Sequence, residues 1–266
     1  MTDSLGLIVG SGFDRLGLDV AARSPTKTPY GEPSSPVLTV RIGAHRVACI
    51  ARHGERHALA PHEINYRANL WALHERGVRT CIGLNTVGAI APGFGPGDLA
   101  VPDQLIDYTS GRAATFGAEG AVGRETAPAF AALPPSMAVV HVDFTEPFDA
   151  VLRGRLAAAV ADCGYGTRRG TYGVTQGPRL ETAAEIDRLA RDGCAMVGMT
   201  AMPEAVLARE LGWAYAICAV AVNYAAGRSP EGVPMAAEIA ASLGSGMARL
   251  GEVVRRVTPS LIGDEL

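Results

Sequence analysis

Short aliphatic and β-branched runs recur along the chain: "LGLIV" (5–9), "VLTV" (37–40), "RVACIA" (46–51), "TCIGL" (80–84), "DLAVP" (98–102), "MAVVHV" (137–142), "GTYGVT" (170–175), "AMVGMT" (195–200) and "WAYAICAVAV" (213–222). Several lack polar alternation, the pattern of strands covered on both faces. Between them, apolar residues fall at spacings of three and four in "EINYRANLWALHERG", "FDAVLRGRLAAAVADCG", "ETAAEIDRLARDG", "MPEAVLARELG" and the C-terminal "MAAEIAASLGSGMARLGEVVRRV", which predicts five helices. Gly77, Gly164, Gly193 and Gly212 follow four of these, where a left-handed residue closes a helix. The alternation predicts an α/β fold, a mixed twisted sheet flanked by helices on both sides. Residues 22–36 and 108–136, rich in Gly, Pro, Ser and Ala, are expected to be loops rather than linkers, because strand and helix signals resume directly after each.

At 266 residues, 48% hydrophobic and 19% charged, the chain suffices for one α/β domain spanning 1–266. The formal net charge of -3 and the lack of any Lys/Arg-rich run exclude the electrostatic footprint of a nucleic-acid binder, which leaves a small-molecule partner. Five cysteines, Cys49, Cys81, Cys163, Cys194 and Cys218, form no CxxC pair and mostly sit in apolar runs, so reduced core thiols are expected. "MTDSLGLIVG" has neither the basic region nor the apolar stretch of a signal peptide, and no apolar run reaches the length of a membrane span. A cytoplasmic location is expected, with no membrane partner.

Four stretches carry candidate chemistry. "LIVGSGFD" leads a strand into Gly10-Ser11-Gly12, whose N–H groups and hydroxyl suit an anion; Arg15 replaces the third glycine of a dinucleotide fingerprint, and an ordinary tight turn fits as well. "ARHGERH" brings Arg52, a planar fork for phosphate oxygens, beside His53, which can donate to the same anion; a solvated basic turn is the alternative. A metal on His53 and His57 lacks a third ligand nearby. In "LNTVGAIAPGFGPGDL", Thr86 stands at a strand end before a glycine-rich turn, and in "MVGMTAMPEA" Thr200 ends a strand while Pro203 and Glu204 open a helix. Thr200 could equally be a simple helix cap.

"GSGFD", "TPYGEPS", "ARHGERH", "INYRANLWAL", "VGAI", "VPDQLIDYTS", "TQGPRLET" and "MVGMTAMPEAVLARE" together resemble the trimeric purine nucleoside phosphorylases, in the branch that holds methylthioadenosine and methylthioinosine phosphorylases. The resemblance runs in order from Leu5 to about the last helix. It implies a phosphate site of Ser11, Arg52, His53, Thr86 and Thr200, with Met199 under the ribose and His141 lent to the neighbouring subunit's site of a homotrimer. The expected fold is that of the nucleoside phosphorylases. Purine nucleoside and inorganic phosphate are the expected partners, phosphate being a co-substrate, with no metal or organic cofactor.

The methylthioadenosine branch resembles an Asp-x-Asp arrangement where this chain has Asn223 and Ala225. A carboxamide gives N–H to a purine O6 while its oxygen accepts from a protonated N7. Glu181 stands where the same branch carries a small polar residue, and it can accept from the N1–H of a 6-oxopurine. Each has a bland alternative: a first-turn helix carboxylate for Glu181, a strand-end turn former for Asn223. Leu180 replaces a phenylalanine common in the family, at the base pocket. Val233 and Met235 are apolar candidates near the 5′ group, and no histidine follows His141, which favours 5′-methylthioinosine over inosine. Asn223, His53 and Ser11 are the expected catalytic groups. The rival readings are a general inosine/guanosine phosphorylase, a methylthioadenosine phosphorylase, a hydrolytic nucleosidase and a non-catalytic purine-binding module.

Overall fold

The computed structural model describes residues 4–117, 140–230 and 233–263. In chain order its strands are β1 (Leu5–Val9), β2 (Asp19–Ser24), β3 (Val37–Ile42), β4 (His45–Ala51), β5 (Thr80–Ala89), β6 (Leu99–Ala100), β7 (Gln104–Asp107), β8 (Thr167–Arg168), β9 (Thr171–Val174), β10 (Cys194–Gly198) and β11 (Ala214–Tyr224). The helices are α1 (Tyr66–Glu75), α2 (Ala150–Asp162), α3 (Ala183–Arg191), α4 (Ala201–Glu210) and α5 (Met235–Ile262). One mixed sheet joins all the strands, in the order β2-β3-β4-β1-β5-β10-β9-β7, with β11 and then β6 and β8 branching from β5. β4, β1, β5 and β11 are mutually parallel, so their carboxyl ends share one edge, while β10 runs antiparallel to the end of β5.

Alternation along the central strands sorts the core into two faces. Tyr215, Ile217, Ala219 and Ala221 of β11 point to the side of Leu70 and Trp71 in α1 and of Ala205 and Leu207 in α4. Ala216, Cys218, Val220 and Val222 point to the side of Leu152 and Leu156 in α2 and of Leu250, Val253 and Val254 in α5. With both faces covered, these strands have no polar side to show in sequence. Helix starts are set locally: the Asn65 side chain accepts from Ala68 N at 3.1 Å, Asp149 accepts from Leu152 N at 2.7 Å, and Thr182 with Glu185 forms a reciprocal capping box.

The structure departs from the sequence expectations in five places. β5 continues beyond Leu84 to Ala89, so Thr86 lies inside a strand, paired with Val220. β11 continues through Asn223 to Tyr224. β2 takes the start of the expected loop 22–36; this mostly exposed edge strand lacks the apolar face that periodicity detects. β7 likewise lies in a stretch with no apolar run. Residues 140–142 of the expected strand 137–142 are not in a strand, and 137–139 lie outside the described residues. Within the expected loop 108–136, residues 108–117 carry no helix or strand and 118–136 lie outside the described residues.

Candidate active site

The carboxyl ends of the parallel strands, with the turn after β10, wall a cavity of about 500 Å³. Crevices at such strand ends are where open α/β sheets collect ligands. Ser11 comes from the turn after β1, Arg52 and His53 from the end of β4, Thr86 from β5, Met199 and Thr200 from the end of β10, Leu180 and Glu181 from the approach to α3, and Asn223 from β11. Nine of the residues singled out in the sequence therefore line one cavity.

At one end the Gly10-Ser11-Gly12 turn is wedged between Arg52 and α5. A Cβ on Gly10 would sit 2.7 Å from Arg52 Nη1, and one on Gly12, where φ is 77°, would sit 2.8 Å from Met247 Cγ. Only bare backbone fits this closely. Arg52 is buried and gives its Nε and Nη2 edge to the fully buried carboxylate of Glu204, whose Oε2 also accepts from the Tyr215 hydroxyl at 2.9 Å. Burial opposes the Arg52 charge, and the attached Glu204 more than offsets it, holding the guanidinium pKa above its ordinary value. Arg52 Nη2 also donates to Asn85 Oδ1 at 3.0 Å, and Asn85 Nδ2 in turn donates to Thr200 Oγ1 at 3.2 Å. Thr200 occupies the cap position of α4 without any side-chain capping bond. Its hydroxyl accepts from Asn85 and keeps its own proton for a ligand.

His53 differs from its expected role as a donor. Its Nδ1 lies 2.8 Å from the Leu59 carbonyl, which can only accept, so the ring proton sits on Nδ1 and Nε2 is a lone pair. Burial, then the Arg52 charge and His57, pull its pKa down to about 4. The neutral ring thus presents Nε2 as an acceptor, and Nε2 donates only once it has taken up a proton. His57, at φ 53°, has its ring centred 4.5 Å from that of His53, tilted by 46°, and lines the same cavity. Among the described residues no group of three His, Cys, Asp or Glu side chains is arranged to hold a metal ion.

The opposite wall is built by a bulge. β11 pairs Ala221 with Val87 and Asn223 with Gly88, leaving Val222 unpaired. Regular alternation would send Val222 and Asn223 to opposite faces; here both line the cavity. Gly88 makes room, since a Cβ there would meet Asn223 Nδ2 at 3.4 Å and Val197 Cγ1 at 3.1 Å. Asn223 Nδ2 donates to the Tyr224 carbonyl at 2.7 Å, which fixes the amide and leaves one N–H and Oδ1 for a ligand. Glu181 precedes the Thr182 cap rather than entering the first turn of α3, and its Oε1 accepts from Thr175 Oγ1 at 2.5 Å. Half-exposed Leu180 and Pro178 stand beside it.

Four singled-out residues are not in the wall. Ala225 lies past the end of β11, where its N–H bonds the Ala89 carbonyl at 2.9 Å and its methyl packs with Ile90, Ile186 and Val197. Val233 is exposed and Met235 opens α5; Ile239 and Leu243, one and two turns deeper on the same stripe, supply the apolar wall instead. His141 is exposed on this chain. The sequence reading also missed Asn85, Tyr215 and the buried role of Glu204. For Glu204 a signal existed: at spacings of three, four and seven from Leu207, Ala208 and Leu211 it falls on the apolar stripe, and an acid there needs a buried cation.

Residues 4–259 match a family described as the phosphorylase superfamily. The chain is 46% identical to a probable S-methyl-5′-thioinosine phosphorylase of Xylella fastidiosa strain Temecula1 over 258 residues, 96% of this chain and 98% of that protein. It is 43% identical to a 6-oxopurine nucleoside phosphorylase of Pyrococcus furiosus over 228 residues, 85% of this chain and 81% of that one. Among solved structures, a methylthioadenosine phosphorylase from an antarctic soil metagenomic library superposes with a TM-score of 0.84 at 30% identity, covering 99% of this chain and 88% of its own.

Proposed function

Because the chain belongs to the phosphorylase superfamily, we propose that it cleaves a 6-oxopurine nucleoside with phosphate, converting S-methyl-5′-thioinosine to hypoxanthine and 5-methylthioribose 1-phosphate. The observation that carries this reading is the pairing of a carboxamide, Asn223, with a carboxylate, Glu181, on one cavity wall. Glu181 accepts from N1–H, and the free Asn223 N–H gives to O6. An adenine would turn an N1 lone pair toward Glu181 and an amino group toward the Asn223 N–H. The names of the Xylella and Pyrococcus relatives support the same class of base. Ile239 and Leu243 offer an apolar wall that suits a methylthio group better than a hydroxyl.

Ser11, Arg52, His53, Thr86 and Thr200 hold the phosphate, with one proton shared between the anion and His53 Nε2. The bond from the anomeric carbon to N9 breaks with its electron pair staying on the purine, and a phosphate oxygen forms the new bond to that carbon. As that bond stretches, the proton that hydrogen phosphate gives up on becoming the sugar phosphate is delivered through solvent to N7, and the N7–H donates a hydrogen bond to Asn223 Oδ1. Met199 lies along the ribose. The reaction needs no metal or organic cofactor. The enzyme works as a cytoplasmic homotrimer, with exposed His141 reaching a neighbouring site.

Product analysis with methylthioinosine, methylthioadenosine, inosine and guanosine, each with and without phosphate, tests the reading. Phosphate-dependent release of hypoxanthine, fastest from methylthioinosine, is expected. Preference for methylthioadenosine, or turnover indifferent to phosphate, would overturn it.

A further inference from the structure

Arg112 lies outside the cavity wall and was not singled out by any motif, yet its guanidinium gathers more of the site's backbone than any residue in that wall. Nη1 donates to the Met199 and Met202 carbonyls, both at 2.7 Å, and reaches the Tyr66 hydroxyl at 3.3 Å. Nη2 donates to the Gln176 carbonyl at 2.8 Å and reaches that of Thr175 at 3.4 Å, while Nε donates to Gln176 Oε1 at 3.2 Å. These six oxygens include no carboxylate, and the cation also lies 5.6 Å over the Tyr66 ring. Tyr66 Oη donates to the carbonyl of Pro61, itself a wall residue.

The acceptors come from separate parts of the chain, and each abuts one portion of the cavity. Thr175 holds Glu181 through its hydroxyl. Met199 lines the cavity itself and precedes Thr200, and Met202 follows two residues after Thr200. Taking its substrate labels from the function proposed above, we propose that Arg112 is a positioning residue that sets the base-reading, sugar and phosphate parts of the site in register with one another. A planar fork with five N–H groups spans these carbonyls at fixed angles; an ammonium, a single point on a flexible stem, cannot reach Met199 and Gln176 together.

The test uses Arg112→Lys and Arg112→Ala beside the wild type and Glu181→Gln, with hypoxanthine and inorganic phosphate as calorimetric probes and thermal denaturation to measure the folded fraction. Arg112→Lys is expected to fold and to weaken hypoxanthine and phosphate binding together, by about tenfold or more, as displacements of an ångström do in preorganised sites. Glu181→Gln is expected to weaken hypoxanthine alone. Destabilisation by itself would lower the number of competent sites and leave both dissociation constants unchanged. The proposal is overturned if folded Arg112→Lys binds both probes as the wild type does, or loses only one of them. Should Arg112→Ala fail to fold, the lysine variant decides. If the wild type binds both probes but releases no hypoxanthine from any nucleoside, the proposed function falls while the binding comparison still judges Arg112.

Discussion

Asn223→Ala should separate binding from chemistry. One N–H of this amide is committed to the Tyr224 carbonyl at 2.7 Å, so under the proposed function the substitution takes two groups from the substrate: the second N–H, assigned to O6, and Oδ1, assigned to N7. O6 accepts in the free nucleoside and in the transition state alike, and losing that bond costs about 1 kcal/mol, roughly a fivefold rise in KM. N7 carries only a lone pair until the bond to the sugar stretches. The Oδ1 contact therefore forms only as N7 takes up its proton during bond breaking, and a charge-assisted bond from the N7–H of the departing base contributes roughly 1.5–3 kcal/mol. That second loss falls on kcat, as a drop of about tenfold to a hundredfold. Steady-state rates of hypoxanthine release at saturating phosphate, with methylthioinosine varied, give both constants. A raised KM with unchanged kcat would refute the transition-state role and leave Asn223 as a ground-state contact.

Three further outcomes follow from the geometry. Asn223→Asp combined with Glu181→Ser presents acceptors to an amino purine and should move kcat/KM toward methylthioadenosine by about tenfold or more; an unchanged ratio would contradict the base-reading argument. His53 stays neutral down to about pH 4 in the folded chain, whereas the unfolded imidazole titrates near 6.5. The unfolded state thus binds the extra proton between these values, and stability should fall by about 3 kcal/mol as pH drops through that window. Without phosphate, urea unfolding of His53→Gln should show a shallower pH dependence than the wild type, and identical slopes would count against the assignment. Glu204→Gln removes the counter-charge of a buried arginine and should cost about 3–5 kcal/mol in chemical denaturation, with weaker phosphate binding; a wild-type midpoint would mean that Arg52 finds another partner.

Much of the architecture was legible because the central strands are covered on both sides, leaving uninterrupted apolar runs such as "WAYAICAVAV", and because capping residues such as Asn65, Asp149 and Thr182 act within their own turn. The edge strand β2 was illegible for the converse reason: its residues are largely exposed and carry no periodic signal. Within the site, residues at strand ends could be listed from sequence, but not what stands behind them. Arg52 and Glu204 are 152 positions apart, and their ion pair is a product of the sheet order, not of any local pattern. The apolar stripe of α5 was visible in the spacing of Met235, Ile239 and Leu243, whereas how far down that helix the cavity begins depends on how α5 seats against the glycine turn. Arg112 escaped notice because its partners are mostly backbone carbonyls, which every residue possesses.

The single unpaired residue in β11 has a reach beyond its own position. Val222 acts as a frameshift in the strand: it decides which of its successors looks inward, whatever their identity. In a cousin lacking the extra residue, the asparagine would take the seat that Val222 now fills, and the aliphatic side chain beside the amide would be lost from the cavity. Grafting this selectivity onto another scaffold therefore means transplanting the kink along with the side chains.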